Sequence, residues 1–105
     1  MEVERIKYER TGGFAGMRMT AEIEPKKLSE DEIRILMDLI DDVDFNELPE
    51  EMLNESGADQ FTYTITVETH IWEHTVTIGD SSAHGKMQEL LEILNKLARK
   101  YIKRQ

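Results

Sequence analysis

Residues 17–24 read Met17-Arg18-Met19-Thr20-Ala21-Glu22-Ile23-Glu24, and Pro25 follows. Successive side chains of an extended chain point to opposite faces, so Met17, Met19, Ala21 and Ile23 share one side and Arg18, Thr20, Glu22 and Glu24 the other. The stretch reads as a strand with one buried and one wet face. Pro25 has no N–H to give to a ladder and ends it. Upstream, residues 3–10 are short, β-branched and aromatic in places, and they stop at Thr11-Gly12-Gly13, whose glycines accept the positive φ angles that reverse a chain. The two strands form a hairpin joined by Gly12-Gly13-Phe14-Ala15-Gly16, a loop longer than a two-residue turn.

Downstream, Ser29-Glu30-Asp31-Glu32 has the spacing of a capping box, in which the Ser29 hydroxyl accepts from the Glu32 N–H and the Glu32 carboxylate reaches back. A helix starts there. Ile33, Leu36, Met37 and Ile40 make one apolar stripe, Leu39 and Val43 widen it, and the pattern fails near Asp44. Residues 44–59 read as the longest irregular stretch. Phe61, Tyr63, Ile65 and Val67 then alternate with threonines and Glu68, and after a turn near residues 69–71 Trp72, His74, Val76 and Ile78 do the same. That is a second hairpin. Gly79-Asp80-Ser81-Ser82 breaks it, and Met87, Leu90, Leu91, Leu94, Leu97, Ala98, Tyr101 and Ile102 keep helical spacing. The expected fold is α+β, order ββαββα, with a four-stranded antiparallel sheet and both helices packed on its apolar face as a second layer.

The chain has 105 residues, 13 of them basic and 22 acidic, no Cys, and a formal charge of −9. This suits one domain over residues 1–105, held by packing rather than by disulfides, with roughly 65% of the unfolded surface buried on folding. Its charge repels phosphate backbones, so no nucleic-acid partner is expected. Met1-Glu2-Val3-Glu4-Arg5 has no apolar leader region and no stretch approaches the length of a membrane span, so the expectation is a cytoplasmic protein without a membrane partner.

Few residues suggest chemistry. His70-Ile71-Trp72-Glu73-His74 spells H-x-x-E-H, a zinc-peptidase pattern that works on a helix, but here it straddles a hairpin turn. His70 reads as a surface residue and His74 as a cross-strand one. Gly12-Gly13-Phe14-Ala15-Gly16 leads into a strand, not into the helix N-terminus a phosphate cradle needs. No thiol nucleophile exists and no carboxylate pair stands out, so neither an enzyme activity nor a cofactor or metal is expected. Residues 29–59 hold twelve acidic side chains and one basic one, Arg34, a solvated face or a surface that steers a basic partner. Lys96, Arg99, Lys100, Lys103 and Arg104 crowd the last helix, where cations complement the dipole.

Three phrases in combination resemble the emfourin family: Arg10-Thr11-Gly12-Gly13-Phe14-Ala15-Gly16-Met17-Arg18, Asp44-Phe45-Asn46-Glu47-Leu48-Pro49, and the run from Gly57-Ala58-Asp59-Gln60-Phe61 through Glu68, followed by His74-Thr75-Val76 and an amphipathic last helix. The likeness runs over nearly the whole chain. It departs at Asn46, where family members often carry another aromatic or small residue, and at Thr69-His70-Ile71-Trp72-Glu73, which replaces a more polar turn. The resemblance implies a proteinaceous inhibitor that blocks the cleft of a thermolysin-like, protealysin-type zinc metalloprotease and holds no metal itself. Such enzymes accept a bulky apolar side chain beside the scissile bond. Phe14, between Gly12, Gly13, Ala15 and Gly16, is one candidate contact; Phe45 and Leu48 in the second phrase are another. The competing readings are a Phe14 ring folded over the sheet edge, and Phe45 and Leu48 as a lid on the core. A monomer is expected. The alternative function is a protein-interaction module without a protease target, homodimeric through an exposed sheet edge.

Overall fold

The computed structural model describes residues 3–12, 16–53 and 60–101. Its elements are strands β1 (Val3–Gly12) and β2 (Met17–Ile23), helix α1 (Glu30–Asp42), strands β3 (Glu51–Met52), β4 (Phe61–Thr69) and β5 (Glu73–Gly79), and helix α2 (Gly85–Tyr101). Short 3-10 turns at Pro25–Lys27, Phe45–Glu47 and Asp80–Ser82 link them.

Both hairpins form where alternation predicts them, but the sheet is five-stranded and mixed, in the order β2-β1-β4-β5-β3, not four-stranded and antiparallel. The extra strand comes from the stretch read as irregular. After α1 the chain returns along the outer side of β5, where Glu51 and Met52 pair parallel to Thr77 and Ile78. Thr77 N donates to Glu50 O at 2.8 Å, which extends the contact by one residue. Two residues cannot show a period, so nothing in the pattern of residues 44–53 announces this strand. The element order is therefore ββαβββα; the α+β class and the common helix layer stand.

One apolar cluster unites the layers. Ile6 and Tyr8 of β1, Ala21 and Ile23 of β2, Ile65 and Val67 of β4, and Val76 and Ile78 of β5 meet Leu36, Leu39 and Ile40 of α1 and Leu90, Leu94 and Leu97 of α2. A fully buried Ile or Leu of this kind contributes about 1.5–3 kcal/mol relative to exposure. The opposite sheet face carries threonine pairs, Thr64 with Thr77 at 3.4 Å and Thr66 with Thr75 at 2.8 Å. On β2 the alternation is right in phase but fades: Ala21 and Ile23 are buried, Met19 is half-buried, and Met17 is 69% exposed.

The predicted capping box is present: Glu32 N donates to Ser29 Oγ at 3.1 Å and Ser29 N to Glu32 Oε1 at 2.9 Å. The other Glu32 oxygen accepts from Lys100 Nζ at 3.0 Å, so the start of α1 is clamped to the last turns of α2. The bond from the Ser29 N–H, and after it the one from Lys100, holds the Glu32 carboxyl below the usual carboxylate range. Lys100 thus does more than cap its own helix. No helix among the described residues is long and apolar enough to cross a membrane.

Candidate functional site: the end of the first hairpin

β1 and β2 stay in register up to the pair Gly12 and Met17, while on its other side β1 stays paired with β4 up to Gly12 and Phe61. Gly12 is therefore enclosed by backbone on two sides. Its φ is +103°, and a β-carbon built on it would stand 2.6 Å from the Gln60 carbonyl oxygen, so both conformation and space demand glycine. Gly16, at the other foot of the loop, has φ +61° with open space around it. Chain direction is thus set at both feet by left-handed glycines. Gly13, Phe14 and Ala15 lie outside the described residues.

Beneath the feet is a polar buttress. The Arg10 guanidinium carbon sits 4.6 Å from the centroid of the Phe61 ring, and its Nη1 donates to Asn95 Oδ1 of α2 at 3.1 Å. The Tyr8 hydroxyl donates to the same oxygen at 3.3 Å. Tyr8 and Tyr63 rings are 6.2 Å apart, and the Tyr63 hydroxyl donates to Asp80 Oδ1 at 3.2 Å. Ser81 Oγ donates to Gln60 Oε1 at 3.1 Å, fixing the residue that Gly12 must clear. On the wet face Arg18 grips Glu9 Oε2 through Nη2 at 2.6 Å and Nε at 2.9 Å. Burial, then the neighbouring Tyr63 phenol, pushes the Tyr8 hydroxyl up to about 12; burial and the Asp80 carboxylate raise Tyr63. Both phenols remain protonated donors at neutral pH, which suits a rigid support rather than proton transfer.

Sequence reasoning picks out the loop but misses the buttress. The signal for it is parity: Tyr8 and Arg10 continue the Ile6 face of β1, so Arg10 points to the helix side where a charge needs a partner. Asn95 lies next to Leu94 on α2, a polar residue flanking an apolar stripe.

The second candidate contact does not join the first. Phe45 is 1% exposed and belongs to the core, edge-on to His74 at 5.9 Å between ring centroids, so its ring has no surface to offer a partner. Burying an aromatic ring outweighs exposing it, and here the lid reading holds. Leu48 is half-buried against the core, and its carbonyl accepts from His74 Nε2–H at 2.7 Å. His74 pairs with Val67, six residues along β4 from Phe61, which puts this corner roughly 20 Å from the loop feet by strand rise. The H-x-x-E-H residues also diverge: His70 Nδ1 lies 2.6 Å from Glu4 Oε1, while His74 is engaged with Leu48.

The emfourin family model matches residues 8–95. The chain belongs to the emfourin family. The matched span begins at Tyr8 and ends at Asn95, the two ends of one of the hydrogen bonds under the loop, and takes in both hairpins. No curated protein and no solved structure matches the chain. Emfourins are inhibitors rather than enzymes, and membership implies a protease-inhibitor-like role and interaction with a metalloprotease.

Proposed function

We propose that this emfourin inhibits a thermolysin-like, protealysin-type zinc metalloprotease in the cytoplasm by placing the loop Gly12-Gly13-Phe14-Ala15-Gly16 in the enzyme's cleft, with Phe14 as the apolar plug. The observation that carries the reading is the pair of left-handed glycines at the loop feet, one locked against Gln60 and supported by the Arg10, Phe61 and Asn95 contacts. A loop whose feet are fixed before binding loses less conformational freedom on docking, and this preorganisation lets a small domain bind tightly. Family membership supports the role, and the formal charge of −9 favours fast capture of an enzyme with a basic approach to its cleft. Phe45 and Leu48 are assigned to the fold and not to the contact.

Titration of a thermolysin-like enzyme with the protein in a casein-cleavage assay tests this. Loss of activity at a one-to-one dose is expected. Full activity at large excess against several such enzymes overturns it.

A further inference from the structure

The sheet has two outer strands, and they are built differently. β3 is two residues long and follows Pro49 closely, so it offers almost no edge. β2 is seven residues long, pairs with β1 without a register shift, contains no Pro and no Lys, and has no other strand among the described residues against its outer side. It carries two exposed charges, Arg18 and Glu22, but no Pro, no bulge against β1 and no covering strand among the described residues to keep it from pairing with another chain.

We infer that the outer edge of β2 is a self-complementary interface, joining two copies of this chain as an antiparallel β2–β2 pair centred on Thr20. Residues directly opposite in an antiparallel pair share a face, so the order Met17-Arg18-Met19-Thr20-Ala21-Glu22-Ile23 can be set against its own reverse and checked position by position. With Thr20 opposite Thr20 of the second copy, Arg18 faces Glu22 and Glu22 faces Arg18, giving two opposite-charge pairs on the wet side. On the core side Met17 faces Ile23 and Met19 faces Ala21. This register alone uses all seven residues. A shift of two in either direction leaves one charged residue opposite a threonine, and a shift of four sets Arg18 against Arg18 or Glu22 against Glu22.

The side chains are placed for it. Arg18 and Glu22 are 69% and 44% exposed, so each keeps surface for a second partner beyond Glu9 and Arg5. On the core side Met17 is 69% exposed but lies opposite Ile23 of the second copy, which is 1% exposed in its own core, so the charge pairs and not apolar cover carry this register. The result is one continuous sheet with a twofold axis, an isologous contact. The two strands run in opposite directions, so the two glycine loops emerge at opposite ends and stay clear of the axis. This inference is independent of the inhibitor reading. It replaces the expectation of a monomer, and it selects which edge would pair.

Sedimentation equilibrium at physiological salt tests it on the full chain. The wild type should sediment at twice the 12.2 kDa chain mass at high micromolar concentration. Arg18→Glu and Glu22→Arg should each weaken association at least about tenfold by setting like charges opposite one another. An equimolar mixture of the two variants should dimerise again, because the hybrid pair restores both opposite-charge contacts. Thr20→Lys, opposite Glu9 within its own chain and therefore compatible with the fold, should also be monomeric. A wild type that stays monomeric, charge-reversed or Thr20→Lys variants that stay dimeric, or a mixture that stays monomeric would each overturn the proposal.

Discussion

Gly12 and Gln60 pass so close that a single β-carbon on the glycine would press to 2.6 Å from the Gln60 carbonyl oxygen. The contact joins the outgoing foot of the first hairpin loop to the residue that leads into β4, and Ser81 holds that residue through its side chain. The Gly12 foot and the start of β4 are therefore fixed against one another.

From that relationship, the two glycine feet should respond differently. Gly12→Ala meets both a positive φ and a backbone oxygen, and should cost about 2–3 kcal/mol in urea unfolding. Gly16→Ala meets only the φ penalty, about 1 kcal/mol. Equal losses would show that the close approach does not constrain the fold.

Asn95 is the hinge of the buttress, because one oxygen accepts from both Tyr8 and Arg10. Asn95→Ala should cost about 1–3 kcal/mol by leaving a buried hydroxyl without its partner, and should weaken protease inhibition by loosening Arg10 over Phe61. Spectrophotometric titration gives a second check. Tyr8 should ionise near 12, and that step should vanish in Tyr8→Phe. Its folded value lies above its unfolded one, so the stability linked to it is full below about pH 10 and is lost as pH rises towards the folded value.

At the start of α1 the sign reverses. The Glu32 carboxyl is held low by the Ser29 N–H and Lys100, so its contribution is full above the unfolded value of about 4.3 and is lost as pH falls through the folded one. Glu32→Gln should flatten the acid side of the stability profile measured by urea midpoints. A profile of unchanged slope would contradict the clamp between the helices.

Much of this fold is legible in the chain because its signals are periodic or local. The alternation at 61–67 and 72–78 gives the second hairpin, and the Ser29–Glu32 spacing gives the helix start to the residue. What stays hidden depends on contacts distant in sequence. β3 is two residues with no period of its own and exists through Thr77 and Ile78. Phe45 reads equally as a partner contact or as a lid on the core until the return of the chain along β5 puts it beside His74. The same holds at the candidate site: glycine spacing marks the loop, whereas the Arg10–Asn95 bond spans 85 residues and appears only when α2 is laid on the sheet.

The reassignment of Phe45 has its own consequence. Phe45→Ala should lose about 3–5 kcal/mol as a buried aromatic truncated to a cavity, while the protein that remains folded at low temperature inhibits as before. Lost inhibition at full stability would return Phe45 to the contact surface.

The role of Phe14 as the plug is tested by the effect of Phe14→Ala on protease inhibition, measured beside the thermal midpoint. Inhibition should weaken by at least about thirtyfold, the scale of a hot-spot truncation, with the midpoint unchanged. Unchanged inhibition with a large drop in the midpoint would contradict it.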